Sequence, residues 1–209
     1  MTQVVPAVSR QHAIIDVLAV GGVAVGYLVL EALHVPKRWS FLAVGIVLAA
    51  YTIYLVRRRT ESWHALGFRA DNLRAGLLPI GLTTLVAAAG LVTIGALRGA
   101  TVSWRAVLVL LALYPAWALV QQFAFQGLLH QRLRALVRAP ALQVLVTAVA
   151  FASVHFGNRA LMALTFLGGI VWSLLYRRWP NLWLLAGSHT VLAALAYPLV
   201  LGDAPLSRV

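Results

Sequence analysis

Long apolar runs, separated by short connectors rich in charge, glycine or proline, set the pattern of this chain. A helix rises 1.5 Å per residue, so about 20 apolar residues cross a bilayer core. Seven segments approach or reach that length: residues 13–33, 40–56, 73–97, 104–131, 140–157, 160–176 and 181–201. Pro36, Gly67, Gly99, Pro140, Gly157 and Pro180 lie between them, where helices break. The pattern predicts an all-α polytopic membrane protein, a bundle of about seven transmembrane helices. Six and eight are the neighbouring counts, because 40–56 is short and 160–176 carries Gly168-Gly169. The chain reads as one integral membrane domain over 1–209, with no second domain, repeat or low-complexity tract.

Composition strengthens that picture. Hydrophobic residues make up 62% of the 209 and charged residues 11%, with a mean hydropathy of +0.88. A soluble domain carries about 25% charged residues to face water, so a soluble enzyme is excluded. Zero cysteines exclude disulfides and thiolate metal sites. The net charge of +12 invites a nucleic-acid reading. The basic residues instead cluster between apolar runs, as in Lys37-Arg38, Arg57-Arg58-Arg59 and Arg177-Arg178, as positive-inside loops do, and no nucleic-acid partner is expected. With seven spans, eleven basic residues fall on the N-terminal side and six on the other, which predicts a cytoplasmic N-terminus. Thr60–Arg74 reads as an interfacial connector, with Trp63, Leu66 and Phe68 dipping into the headgroup region.

Polar side chains inside a bilayer are costly, so they mark candidate chemistry. Asp16 and Glu31 sit near span ends, where snorkelling or pairing with Arg10 and Lys37 accounts for them. Thr83, Thr84 and Thr93 can bond their own helix backbone. The fourth span differs: it holds Gln121, Gln122 and Gln126, the last two at i,i+4 on one face. Hydrogen-bonded glue between helices is the plain reading of three such amides. Two further spans, however, add His155, with Phe151 four residues before it and Asn158 three after, and His189 in an otherwise apolar run. By helix rise Gln122, His155 and His189 reach compatible depths, which predicts one intramembrane cavity with Gln121 or Asn158 at its edge.

These residues resemble the motifs of the CAAX-protease and bacteriocin-processing (CPBP, or Abi) family of intramembrane endopeptidases. That family carries Glu-Glu-x-x-x-Arg on one span, Phe-x-x-x-His on the next and His-x-x-x-Asn on a later one. Phe151 to His155 matches the second motif, and His189 matches the histidine of the third. The stretch 166–189 and the WHALGFR segment are also similar to family segments, so the family-like core covers about 63–197. The departures are as specific. Gln121 and Gln122 stand at the glutamate pair, Gln126 at the arginine and Ala193 at the asparagine.

The resemblance implies peptide hydrolysis by an activated water, on a hydrophobic or lipidated peptide substrate, among membrane lipid, in the bacterial inner membrane. Gln121, Gln122, His155 and His189 take the catalytic positions, and Gln126, Phe151 and Asn158 line the substrate. A neutral amide cannot take a proton from water as a carboxylate does. Losing Arg together with Glu avoids an unpaired buried cation. The substitutions leave two readings: an endopeptidase with impaired or altered proteolysis, in which the histidines handle the proton, or a non-catalytic relative that binds such a peptide. No cofactor is expected and no metal, because two imidazoles and amides make a poor zinc site. The oligomeric state is not legible.

Overall fold

The computed structural model describes residues 8–202. Every regular element among the described residues is helical: α1 (Arg10–Ala32), α2 (Lys37–Arg58), α3 (Leu73–Leu97), α4 (Trp104–Gln122), a π-helical turn π1 (Phe123–His130), α5 (Gln131–Leu136), α6 (Pro140–Ser153), α7 (Arg159–Arg178), α8 (Leu182–Ala196) and a second π turn, π2 (Tyr197–Leu201). α4, π1 and α5 form one rod of 33 residues, and α8 with π2 one of 20. The seven expected segments are therefore seven rods among the described residues. Six are long and apolar enough to cross a membrane, and α6, with 14 residues, is the short one. Arg208, counted on the far side of the charge balance, lies outside the described residues.

Local chemistry sets the helix ends. Ser9, Ser103, Asn158 and Asn181 accept from backbone N–H groups three residues on, as N-caps do. Pro140 opens α6, where a missing N–H costs nothing. The sequence expectation carried the fifth span to residue 157, but α6 ends at Ser153. Gly157, at φ +97°, turns the chain, and Asn158 caps α7. His155 therefore sits on the turn after α6. The three threonines of α3 bond their own helix as expected, at 2.8, 2.7 and 2.9 Å to Pro79, Ile80 and Ala89 carbonyls.

α8 lies at the centre, packed by α4 and α3, while α6 and α7 form a tight antiparallel hairpin against π1. α1 leans on π1 and α5, and α2 lies outside it against α4. Small residues permit the closest approaches. A Cβ on Gly169 would lie 2.8 Å from Ala148 Cα, and one on Gly127 would lie 2.9 Å from the Leu66 carbonyl oxygen.

Two connections differ from the sequence expectation. Glu31 does meet Lys37, at 3.8 Å. Asp16 pairs not with Arg10 but with residues 43 and 116 positions away: Arg59 Nη1 at 2.6 Å and Arg132 Nε at 2.6 Å. Tyr51 also donates to Asp16, and Glu61 accepts from Arg132 at 2.5 Å. This balanced set of two acids and two arginines fastens α1 and α2 to α5. The 60–74 connector does not simply lie in the interface either. Leu66 is wholly buried in protein, Phe68 packs on Phe123 and Trp183, and Gln131 donates to the Ala65 carbonyl at 2.7 Å. Its rim stays polar: Arg69 beside Asp71 holds that exposed carboxyl down at about 2.

Candidate active site

The fourth rod carries Gln121 and Gln122 on the last turn of α4 and Gln126 inside π1. All three are buried. A π turn inserts an i→i+5 hydrogen-bond pattern and re-aims the side chains beyond it, and such turns are frequent at functional sites. The two adjacent glutamines diverge. Gln122 reaches His189 on α8, its Nε2 lying 3.4 Å from Nδ1 of the ring. Gln121 instead lines a small crevice of about 40 Å³ on the α1–α2 side, among Val20, Tyr27, Leu48 and Val154.

His189 sits in an aromatic cage. Ring centroids of Tyr114, Phe151 and Trp172 stand 5.6, 5.7 and 4.7 Å from its own. Phe151 also touches His155 edge-on at 5.5 Å, so one phenyl ring contacts both imidazoles. His155 and His189 line the same cavity, of about 400 Å³, between α3, α7 and α8. The lining is mostly apolar. Its rim residues Val86 and Leu167 are exposed on the outer face of the bundle, so the cavity opens where lipid would lie. Asn158 does not line it; its side chain caps α7 through Leu161 N at 3.0 Å.

The hydrogen bonds fix the ring protons. Nδ1 of His155 is 3.0 Å from the Phe151 carbonyl oxygen, which only accepts. The proton of the neutral ring is therefore on Nδ1, and Nε2 carries a free lone pair. For His189 the Gln122 amide presents its NH₂, and in that orientation Nδ1 accepts and the proton is on Nε2. The cavity thus has one histidine of each kind, a proton acceptor and an N–H donor.

Several contributors were not anticipated from the sequence. Ser188, beside His189, bonds Trp172 Nε1 at 3.0 Å and Thr84 Oγ1 at 2.8 Å, joining α3, α7 and α8 around the cavity. Tyr114 lies eight residues before Gln122 on the same rod, a helical spacing that could have nominated it. Trp172 had no signal beyond its aromaticity. Among the described residues no three His, Asp, Glu or Cys side chains gather, and the two cavity histidines have no carboxylate beside them.

Fold and cavity together define a polytopic helical membrane protein with a histidine-bearing pocket open toward lipid. Residues 103–195 match the family described as type II CAAX prenyl endopeptidase Rce1-like, which bears out the resemblance to the CAAX-protease and bacteriocin-processing family. The matched stretch contains Gln121, Gln122, Gln126, Phe151, His155 and His189, and leaves α1 to α3 outside. No curated protein and no solved structure matches the chain.

Proposed function

We propose that this protein is an intramembrane endopeptidase of altered chemistry, cutting a prenylated or membrane-embedded peptide with histidines in place of a glutamate base. The observation that carries it is the pair of histidines in one cavity, with hydrogen-bond partners that favour opposite tautomers. His155 Nε2 takes a proton from water as the oxygen attacks the scissile carbonyl. The Nε2–H of His189 stabilises the oxyanion, and the proton on His155 passes to the leaving amine. The aromatic cage keeps bulk water from His189, where a fixed donor acts more strongly. Gln122 orients that ring, Phe151 packs edge-on against both imidazoles, and Gln126, set behind them in π1, does not line the cavity. An apolar cavity open to lipid fits a lipidated or transmembrane segment, presented in a bacterial inner membrane with the N-terminus of the chain in the cytoplasm.

A neutral pocket would also hold a peptide without cutting it, and the unpaired Gln121, Gln122 and Gln126 oxygens favour that second reading as a binding protein. One experiment separates them. The purified protein in lipid nanodiscs is given a farnesylated C-terminal peptide or a transmembrane peptide, with cleavage and binding measured together. Slow, His155-dependent cleavage supports the protease. Tight binding without cleavage, by the native protein and its His155→Ala variant alike, supports the binding protein.

A further inference from the structure

The C-terminal half of the fourth rod holds a run of buried polar atoms that the proposed chemistry does not use. Gln122 Oε1, both amide atoms of Gln126 and Nε2 of His130 have no hydrogen-bond partner among the described residues, nor do Ser173 Oγ and Tyr176 OH of α7. All five side chains are essentially inaccessible from outside. An unpaired buried polar group is costly, and proteins rarely keep one without water or another partner.

Helix spacing and packing set these atoms one after another along π1. Gln122, Gln126 and His130 succeed one another every four residues through π1. His130 is held by Thr147 of α6, with Nδ1 3.1 Å from Oγ1. The hydroxyl of Thr147 already donates to the Gln143 carbonyl at 2.8 Å, so it accepts from His130. His130 Nε2 is then a bare acceptor. In the α6–α7 hairpin Arg177 bonds Gln143 and Gly169 abuts Ala148, which sets Ser173 opposite Thr147. Tyr176 ends the column beside the docked connector, where a Cβ on Gly67 would lie 2.3 Å from its hydroxyl. Its OH and that of Ser173 can donate; His130 Nε2 and the Gln122 carbonyl oxygen can only accept; Gln126 does both. Such a mixed set suits water, which donates and accepts, better than an ion of either sign.

We infer that a file of bound waters runs along π1 from the Gly67 connector to the Gln122–His189 pair. Water then reaches the site from one end of the bundle, while the lipid-facing cavity admits the other reactant. The path itself does not depend on proteolysis; its use as the supply of hydrolytic water rests on the proposed protease function.

The absence of cysteine makes a direct test possible. In a Ser173→Cys variant the only S–H group of the protein reports its surroundings by its infrared stretch, which shifts when deuterium replaces the proton. After transfer to D₂O the band at 173 should convert at least about a hundredfold faster than in Leu110→Cys, a buried position about 18 Å along α4 from Gln122. Adding Gln126→Leu, which fills the column with an apolar group, should slow the conversion at 173. Thr147→Cys reports from the facing wall if Ser173→Cys does not fold. Exchange at 173 or 147 no faster than at 110 overturns the file, and so does fast exchange indifferent to Gln126→Leu. A dry column in a protein that still cleaves removes the path alone. A wet column in a protein that never cleaves removes only the protease.

Discussion

Gln122 Nε2 lies 3.4 Å from Nδ1 of His189, and with the NH₂ turned to the ring the imidazole carries its proton on Nε2. A glutamate at 122 would reverse it. A carboxylate only accepts, so Nδ1 would hold the proton and Nε2 would become a base. The native protein therefore has a donor where a carboxylate-bearing relative would have an acceptor.

Gln122→Glu should accordingly change cleavage of a farnesylated peptide by roughly 10²-fold or more, since a positioned base contributes 10²–10⁴. Gln121→Glu alone should do little, because Gln121 lines the crevice on the α1–α2 side. Gln126→Arg is expected to be needed beside Gln122→Glu to keep the acid ionised where it is buried. Rates for the three variants and their combination check this. Equal gains from Gln121→Glu and Gln122→Glu would refute the divergence.

His155→Ala should reduce any native cleavage by 10²–10⁴-fold, about 3–5 kcal/mol of barrier, with peptide binding retained. His189→Gln keeps a donor in the cage and should lose less. A His155→Ala protein that cleaves at the native rate would remove the histidine mechanism.

Deleting one member of the Asp16–Arg59–Glu61–Arg132 cluster leaves it with one uncompensated charge in a largely buried site. Arg132→Met or Asp16→Ala should cost about 3–5 kcal/mol. The double change should cost less than the two together, because the arginine and its carboxylate leave as a pair. Thermal unfolding in detergent of the two single variants and the double variant measures the coupling.

Gly67→Ala should destabilise by about 1–3 kcal/mol and loosen the connector. Its backbone is left-handed at φ +97°, and a methyl group would lie 2.3 Å from the Tyr176 hydroxyl. Gly99→Ala, left-handed at φ +63° but in open space, should cost less. Protease nicking between residues 60 and 72 should rise for the first variant only.

Asp71 has its folded carboxyl pKa lowered from 3.8 to about 2, chiefly by Arg69. A lowered acid pKa stabilises the folded state above the unfolded pKa. That contribution should fade as pH falls from about 4 toward 2. Asp71→Asn should therefore flatten the acid limb of the melting temperature, with the difference shrinking as pH approaches 2. The side chain is exposed, so the effect is small and best read as a shape. An unchanged acid limb would show that the connector does not use the pair.

Much of this protein is set by one-dimensional pattern. Apolar runs of membrane length and the breakers between them determine the seven rods, because a bilayer accepts only segments that satisfy their own backbone. The order of Gln121-Gln122, Phe151 to His155 and His189 likewise needs no coordinates to suggest the family, since i,i+4 spacing is a local property of a helix. Partnership across the bundle is another matter. Arg10 was the near cation for Asp16, yet Arg59 and Arg132 take it, because α5 and the end of α2 come to rest against α1. Gln121 and Gln122, adjacent and chemically identical, are separated by about 100° of helix, and only the packing of α8 on one side and α1 on the other gives them different surroundings. The proton on His155 answers to a carbonyl four residues back in its own segment, whereas that on His189 answers to an amide from another rod 67 positions away, so only the second was decided by tertiary structure.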